Sequence, residues 1–237
     1  MDGTNVCRVR KCELQLTRRV WAFAEDHAAE IADHWRRRQS ESPGLFDGRV
    51  LMMLEPMIGD EVFRAELLAT DFKAYLYWRE SGFPDAGIFD GFGSALIRSV
   101  EGHVLLGRQR GGNINSGLAY LPGGFIDKRD VRDDGRVDIA ASIARELAEE
   151  TGLDADEFKR MPGYFITRFR SQISIAQEYR SALTSQALRA KMLAAIARQE
   201  DPELEDIVTV TGETDLNALH VGEYVQLLLP EVLSELT

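Results

Sequence analysis

Two cysteines, Cys7 and Cys12, are all that the 237 residues contain. That is too few for a disulfide framework, and no second pair exists to complete a structural zinc site. Both are read as reduced thiols. No run approaches the roughly eighteen uninterrupted apolar residues of a membrane-spanning helix. The opening stretch MDGTNVCRVRKCELQL has no apolar core of the kind a secretory leader carries. A cytoplasmic protein without a membrane partner is the expectation. Positive charge is also short: 28 Lys and Arg stand against 39 Asp and Glu, for a net charge of −11 and a pI near 4.9. Sequence-independent binding to nucleic acid or an anionic membrane needs a positive field and is excluded. A small phosphorylated ligand is compatible, provided its site supplies local cations. Internal repeats and low-complexity segments are absent too.

What is present reads as an ordinary globular chain, 44% hydrophobic and 28% charged, long enough for one large domain or a domain with a substantial extension. TRRVWAFAEDHAAEIADHWRRR (17–38) predicts a helix capped by Thr17. RVLMMLEPMIG (49–59) and EVFRAELLA (61–69) predict a β-hairpin, and TDFKAYLYWRE (70–80) a helix beginning at Thr70 or Asp71. The Gly- and Pro-rich stretch SGFPDAGIFDGFG (81–93) marks a boundary. Residues 1–88 then form an extension of helix, hairpin and helix, and 89–237 the main domain. Within the latter, GSALIRSV and HVLLGRQR predict strands. A glycine loop (111–120) leads to LPGG, and a polar, acidic loop follows, FIDKRDVRDDGRV (125–137). A helix is predicted over Ile139–Thr151, with Asp138 as N-cap and Gly152 in the left-handed C-terminal position. Beyond it, 164–181 predicts one or two strands, 185–199 a helix, 205–211 a strand and 221–236 a closing helix. Strands and helices alternate without a regular βαβ rhythm, so the fold class is α/β (α+β), a mixed sheet between helices.

The stretch RELAEETGL (145–153) gathers Glu146, Glu149 and Glu150 on one helix, where like charges three or four residues apart repel by a few tenths of a kcal/mol per pair. At about 100° per residue, Ile139, Ile143 and Leu147 form an apolar stripe. Glu150 falls between Ile139 and Ile143 in angle, and Glu146 beside Ile139. Two carboxylates therefore lie over the packing side, where desolvation is costly. A bound cation resolves this, since Mg²⁺ takes one or two carboxylates and completes its shell with water and phosphate. A charged helix end fraying into solvent is the alternative.

The glutamates belong to a longer pattern. LPGG, a loop and then RELAEETGL resemble the signature of the Nudix hydrolase family, Gx5Ex7REUxEExGU with U aliphatic. Arg145, Glu146, Leu147, Glu149, Glu150, Gly152 and Leu153 fill the second half, and Gly124 the first place. The resemblance covers roughly residues 90–237 and implies a Nudix-like fold and a metal-dependent pyrophosphohydrolase acting on a nucleoside diphosphate linked to a moiety X. It implies that Glu146, Glu149 and Glu150, with the Gly124 carbonyl, hold Mg²⁺ (or Mn²⁺). It also implies that Arg145 orients a glutamate and that Glu149 or Glu146 serves as base. The chain departs from the pattern between Gly124 and Arg145, where residues 125–144 exceed the family spacing by seven. An insertion over Lys128–Asp134 accounts for the excess and puts Val137 where the family has a glutamate that supports the arginine. Asp127, Asp133, Asp134 or Asp138 are candidates to replace it. The charged insertion is expected to loop out over solvent. Its deletion should then leave the fold and activity intact, and Val137→Glu should raise activity further.

Arg108 and Arg110 are weaker candidates for a substrate phosphate. Glu200, Glu203, Glu205 and Asp206 are candidates for a further acidic ligand from a late loop. His27 and His34 read as structural or exposed, and His103 has no assigned role. Tyr75, Tyr77 and Trp78 form an aromatic group read mainly as core, with base stacking as the alternative. A binding or regulatory module with little turnover is the rival function. Residues 1–88 could shape the substrate pocket or build a homodimer. Nucleotide sugars, dinucleotides, coenzyme A derivatives and damaged nucleotides all remain open for X, with a lean towards a nucleoside-diphosphate sugar.

Overall fold

The structure is a computed structural model and describes residues 5–111 and 116–234; the centre of the predicted glycine loop lies outside them. In chain order the elements begin with strands β1 (Val6–Val9) and β2 (Lys11–Leu16), then helices α1 (Ala22–Asp26) and α2 (Ala28–Glu41). The hairpin β3 (Arg49–Gly59) and β4 (Val62–Asp71) follows, then α3 (Phe72–Glu80). The second half runs β5 (Ile88–Arg98), β6 (Val104–Gln109), β7 (Ala119–Tyr120), β8 (Gly123–Phe125), α4 (Ile139–Thr151) and β9 (Lys159–Arg160). It closes with β10 (Tyr164–Phe169), β11 (Gln172–Arg180), α5 (Ser185–Ile196), β12 (Leu204–Val210), α6 (Glu213–Ala218) and α7 (Glu223–Ser234).

The strands join in one mixed sheet whose main path is β1-β10-β11-β5-β3-β4-β2. β5 is its seam. It runs parallel to β11 and antiparallel to β3, β6 and β8. Nearly every residue of β5 is buried, as expected of a strand covered on both faces. Pairing therefore crosses residue 88, with Met53 opposite Phe89 and Leu54 opposite Ile88. The hairpin register shifts between Leu54 and Met57. Pro56 sits at that bulge, a place where a residue without an N–H is tolerated.

Two apolar clusters hold the layers together. The larger runs from Leu14 and Met53 through Leu96, Ile143 and Leu147 to Leu228. The smaller one, around Trp21, Ile31, Met52, Tyr75 and Trp78, seats α2 and α3 on the hairpin. Tyr75 and Trp78 are thus core residues, while Tyr77 packs edge-on against His34. His34 in turn meets Glu80 at 2.7 Å.

The N-terminal strands were absent from the sequence expectation. β2 is an edge strand in which only Leu14 is fully buried, so its alternation is faint. The helix expected from Thr17 begins instead at Ala22 and breaks at His27. Thr17 prolongs β2, donating its backbone N–H to the Leu67 carbonyl at 2.8 Å.

The insertion is exposed at Lys128, Arg129 and Arg132–Asp134, as expected, but it is ordered and buries Asp130. Lys128–Asp130 form a 3-10 turn, and Val131 and Val137 then pair across a small hairpin. Its turn closes with Gly135 donating to Arg132 at 2.8 Å. Gly135 is at φ 81°, left-handed backbone that glycine adopts without penalty. The hairpin docks on β2: Leu16 donates to the Gly135 carbonyl and Val137 to the Leu14 carbonyl, each at 2.9 Å.

Candidate functional site

Helix α4 is built as its sequence asks. Asp138 accepts from the Ala141 N–H at 3.1 Å, and Gly152 ends the helix at φ 69°. Ile139, Ile143 and Leu147 enter the core. The angular argument holds for the glutamates. Glu150 is buried, the Glu146 side chain is largely so, and the Glu149 side chain is 51% exposed.

Arg145 gathers carboxylates from two directions. One arm of its guanidinium reaches Glu146 at 2.5 Å and Glu149 at 3.4 Å. The other, Nη2, donates to both carboxylate oxygens of Asp130, at 3.0 and 3.2 Å. Asp130 is only 4% exposed. It is held further by the Ser142 hydroxyl at 2.9 Å and the Asp127 N–H at 3.0 Å. The partner of Arg145 is therefore Asp130, an insertion residue that the sequence reading passed over. Asp127 instead caps the 3-10 turn, accepting from the Arg129 N–H at 2.6 Å. Asp138 caps α4, and Asp133 and Asp134 are exposed. Val137 sits in the larger apolar cluster, so a carboxylate there has no access to Arg145 without being buried among aliphatic groups. One signal was available in the sequence. Asp127 and Asp130 stand in the i, i+3 spacing of a reciprocal capping box, and both halves of that box form here.

Gly124 lies against the same helix. A Cβ there would fall 2.4 Å from Glu146 Oε2, so a larger residue would push that carboxylate out of its present place. Glu150 Oε1 accepts from the Tyr120 hydroxyl at 3.2 Å and the Gly123 backbone N–H lies near the carboxylate, while Oε2 is buried without a well-formed hydrogen bond. Burial pushes the Glu150 pKa well up, with the charges of Glu203 and Glu146 adding to it. Burial likewise raises Glu146 to about 7; Arg145 opposes the shift and Glu149 and Glu203 reinforce it. Glu203 is also raised, by burial and by Glu149 and Asp201. Among the four late acidic candidates, Glu203 is the one that lines the cavity with the helix glutamates. Asp206 is tied to Arg189 at 2.7 Å.

These residues border a cavity of about 830 Å³, within the range of small-molecule sites. It is also lined by Arg49, Arg79, Lys128 and Arg129 and by residues of the extension, Phe46, Phe72 and Tyr75. Arg108 and Arg110 do not line it; Arg110 pairs with Asp201 at 3.1 Å. The cations foreseen as local to the site thus come from the extension and the insertion. A smaller cavity, about 490 Å³, lies beside Trp21 and Ile31, away from α4.

The donor set suits a hard divalent cation: carboxylate oxygens, a close backbone, and one buried carboxylate oxygen without a well-formed hydrogen bond. Among the described residues, no group of three or more acidic, histidine or cysteine side chains is already gathered in a way that could hold a metal ion. The arrangement fits an ion that takes few protein ligands and leaves positions to water and phosphate.

A family model of the NUDIX domain matches residues 90–219, more than half of the chain. Similar solved structures include a MutT protein from Methanosarcina mazei, 20% identical over 62% of this chain and 92% of that one, with a TM-score of 0.40. The Nudix hydrolase RenU from M. smegmatis is 16% identical over 63% and 91%, with a TM-score of 0.41. A bifunctional NMN adenylyltransferase/ADP ribose pyrophosphatase from Francisella tularensis, in complex with AMP and a Mn ion, is 17% identical over 69% and 45%, with a TM-score of 0.43. No curated protein matches the chain. The domain match falls on the segment that carries Gly124 and the glutamate helix, and on that ground the chain belongs to the Nudix family of pyrophosphohydrolases, enzymes that generally depend on a divalent metal.

Proposed function

We propose that this protein hydrolyses the diphosphate linkage of a nucleoside diphosphate joined to a second moiety X, with Mg²⁺ (or Mn²⁺) held by Glu146, Glu149, Glu150 and the Gly124 carbonyl. The observation that carries this is Glu150. A carboxylate so deeply buried, with Oε2 lacking a well-formed hydrogen bond and Glu146 and Glu203 close by, is costly unless a cation joins it. A bound metal would supply charge neutralisation for the diphosphate and a lowered pKa for the attacking water. Glu149, the most exposed of the three glutamates, accepts the proton of that water as it attacks phosphorus. The P–O bond to the bridging oxygen breaks, leaving two phosphorylated products. Arg145, anchored by Asp130, fixes Glu146 and Glu149 in orientation. Arg129 and Lys128 at the cavity wall offset the negative charge of an acidic protein near the phosphates. Residues 1–88 shape the pocket, through Phe46, Phe72 and Tyr75. The free thiols of Cys7 and Cys12 fit a reducing, cytoplasmic setting.

The decisive experiment is a phosphate-release screen of nucleotide sugars, dinucleotides, coenzyme A derivatives and damaged nucleotides, with Mg²⁺ and with chelator. Hydrolysis should require the metal. Glu149→Gln and Glu150→Gln should each lower kcat by at least about a hundredfold, the scale of losing one electrostatic stabiliser. Metal-independent turnover, or near-normal turnover in both variants, sinks the proposal.

A further inference from the structure

The end of the cavity formed with the extension contains a second buried carboxylate, apart from the glutamate helix. Asp90 opens the family-matched segment, on β5, and is 3% exposed. Its Oδ2 is fully engaged, accepting from the Tyr75 hydroxyl at 2.9 Å and from Gln172 Nε2 at 2.7 Å. Its Oδ1 is buried without a hydrogen bond, and the residue lines the cavity together with Arg79, whose guanidinium donates to the Tyr75 hydroxyl at 3.3 Å and favours the ionised carboxylate. A buried carboxylate oxygen without a hydrogen bond is costly, and the cost is recovered when a ligand brings a donor.

The surroundings say what kind of donor. Phe125 stands edge-on to Tyr75 with ring centroids 4.9 Å apart, and to Phe72 at 6.0 Å. Phe46, also on the cavity wall, is 81% exposed, so its ring is open to a ligand. An aromatic wall of this kind takes the face of a planar ring. Two donors already fix Oδ2, so Oδ1 is left to read the ligand, and as an ionised carboxylate oxygen it accepts.

We infer that this end of the cavity is a base-recognition subsite in which Asp90 Oδ1 accepts a hydrogen bond from the exocyclic amino group of a heteroaromatic ring packed against Phe46 and Phe125. The inference deepens the nucleoside-diphosphate reading and rests on it, and it narrows the substrate to compounds whose base carries an amino group. It predicts preference within pairs that differ in one substituent: adenine over hypoxanthine, and cytosine over uracil.

The test is metal-free binding of mononucleotides by calorimetry, so failure of hydrolysis leaves its result intact. AMP should bind at least about tenfold more tightly than IMP, or CMP than UMP, the usual scale for leaving a buried polar group unpaired. In Asp90→Asn the amide oxygen stays with Tyr75 and Gln172, which presents an NH₂ where Oδ1 stood. That variant should lose the preference or invert it towards the oxo partner. Phe46→Ala changes an exposed side chain, so its fold is safe. It should weaken the preferred nucleotide at least about fivefold, the low end of base–aromatic stacking. Equal affinity within both pairs, an unchanged preference in Asp90→Asn, or no mononucleotide binding at millimolar concentration each overturns the assignment. Any of these would leave Asp90 as a water-satisfied structural carboxylate.

Discussion

Arg145–Leu153 and Lys128–Val137 are close in the chain and meet in space at one guanidinium, yet they reach that point by opposite routes. The first is regular helix. Its glutamates are placed by a fixed angular step, so spacing alone says which are buried. The second is irregular, and its one decisive side chain, Asp130, is placed by a 3-10 turn, a reciprocal cap and a hairpin braced on β2. A carboxylate reached by either route can serve Arg145. Only the regular route can be read by counting.

The comparison breaks most sharply at Asp130. Asp130→Asn should lower turnover and apparent Mg²⁺ affinity about 10–100-fold, the range for residues that orient metal ligands. Excess Mg²⁺ should restore part of the turnover, which a merely structural role would not allow. Deleting Lys128–Asp134 removes the same carboxylate and should cost at least as much, contrary to the spacing argument that treats these residues as dispensable. Full activity in the deletion would return the support of Arg145 to Asp127 or Asp138.

Val137→Glu tests the same contrast from the other side. It should destabilise the fold by about 1–3 kcal/mol, the measured scale for a buried polar group without a partner, and raise no activity. Thermal denaturation and the hydrolysis assay read the two outcomes. A gain in turnover would show that the family position still reaches Arg145.

A smaller effect comes from pH. Glu146 moves from 4.5 to about 7 on folding, so the folded protein holds its proton more tightly than the unfolded chain. Stability linked to that proton is complete below about pH 4.5 and is lost as pH rises through about 7. Glu150 and Glu203 shift in the same direction. The metal-free protein should therefore show a falling Tm between pH 5 and 7.5 on the order of a few degrees, and Mg²⁺ should flatten the slope. A flat metal-free profile would mean that the carboxylates are already neutralised within the protein. At the bottom of the scale, Asp133→Ala, on the exposed tip of the insertion, should stay within about 0.5 kcal/mol of the parent in stability and keep its turnover.

The elements most legible in the sequence were those with strong local period: the β3–β4 hairpin, α3, α4, α5 and the late strand β12. The glutamate cluster was legible because a helix imposes a fixed spacing, and Gly124 because it fills a place in the family pattern. The parts that escaped are decided by distant partners. β1 and β2 are strands because β10 and β4 offer them edges. Asp130 is buried because Arg145 and Ser142 are there to receive it. The cations of the cavity wall, Arg49 and Arg79 among them, lie in a segment that no family spacing reaches. Arg108 and Arg110 drew attention by following a strand, a position that here faces elsewhere.

The hairpin braced on β2 has a consequence for the order in which this chain folds. Gln15 bonds to the Asp134 carbonyl across 119 residues of sequence, a long-range closure that is slow compared with forming a helix. Helix α4 can therefore form, glutamates and all, well before β2 receives the hairpin and Asp130 is locked beneath Arg145. A refolding chain should recover its helical signal first and its hydrolytic activity in a later phase, and weakening β2 should slow only the second.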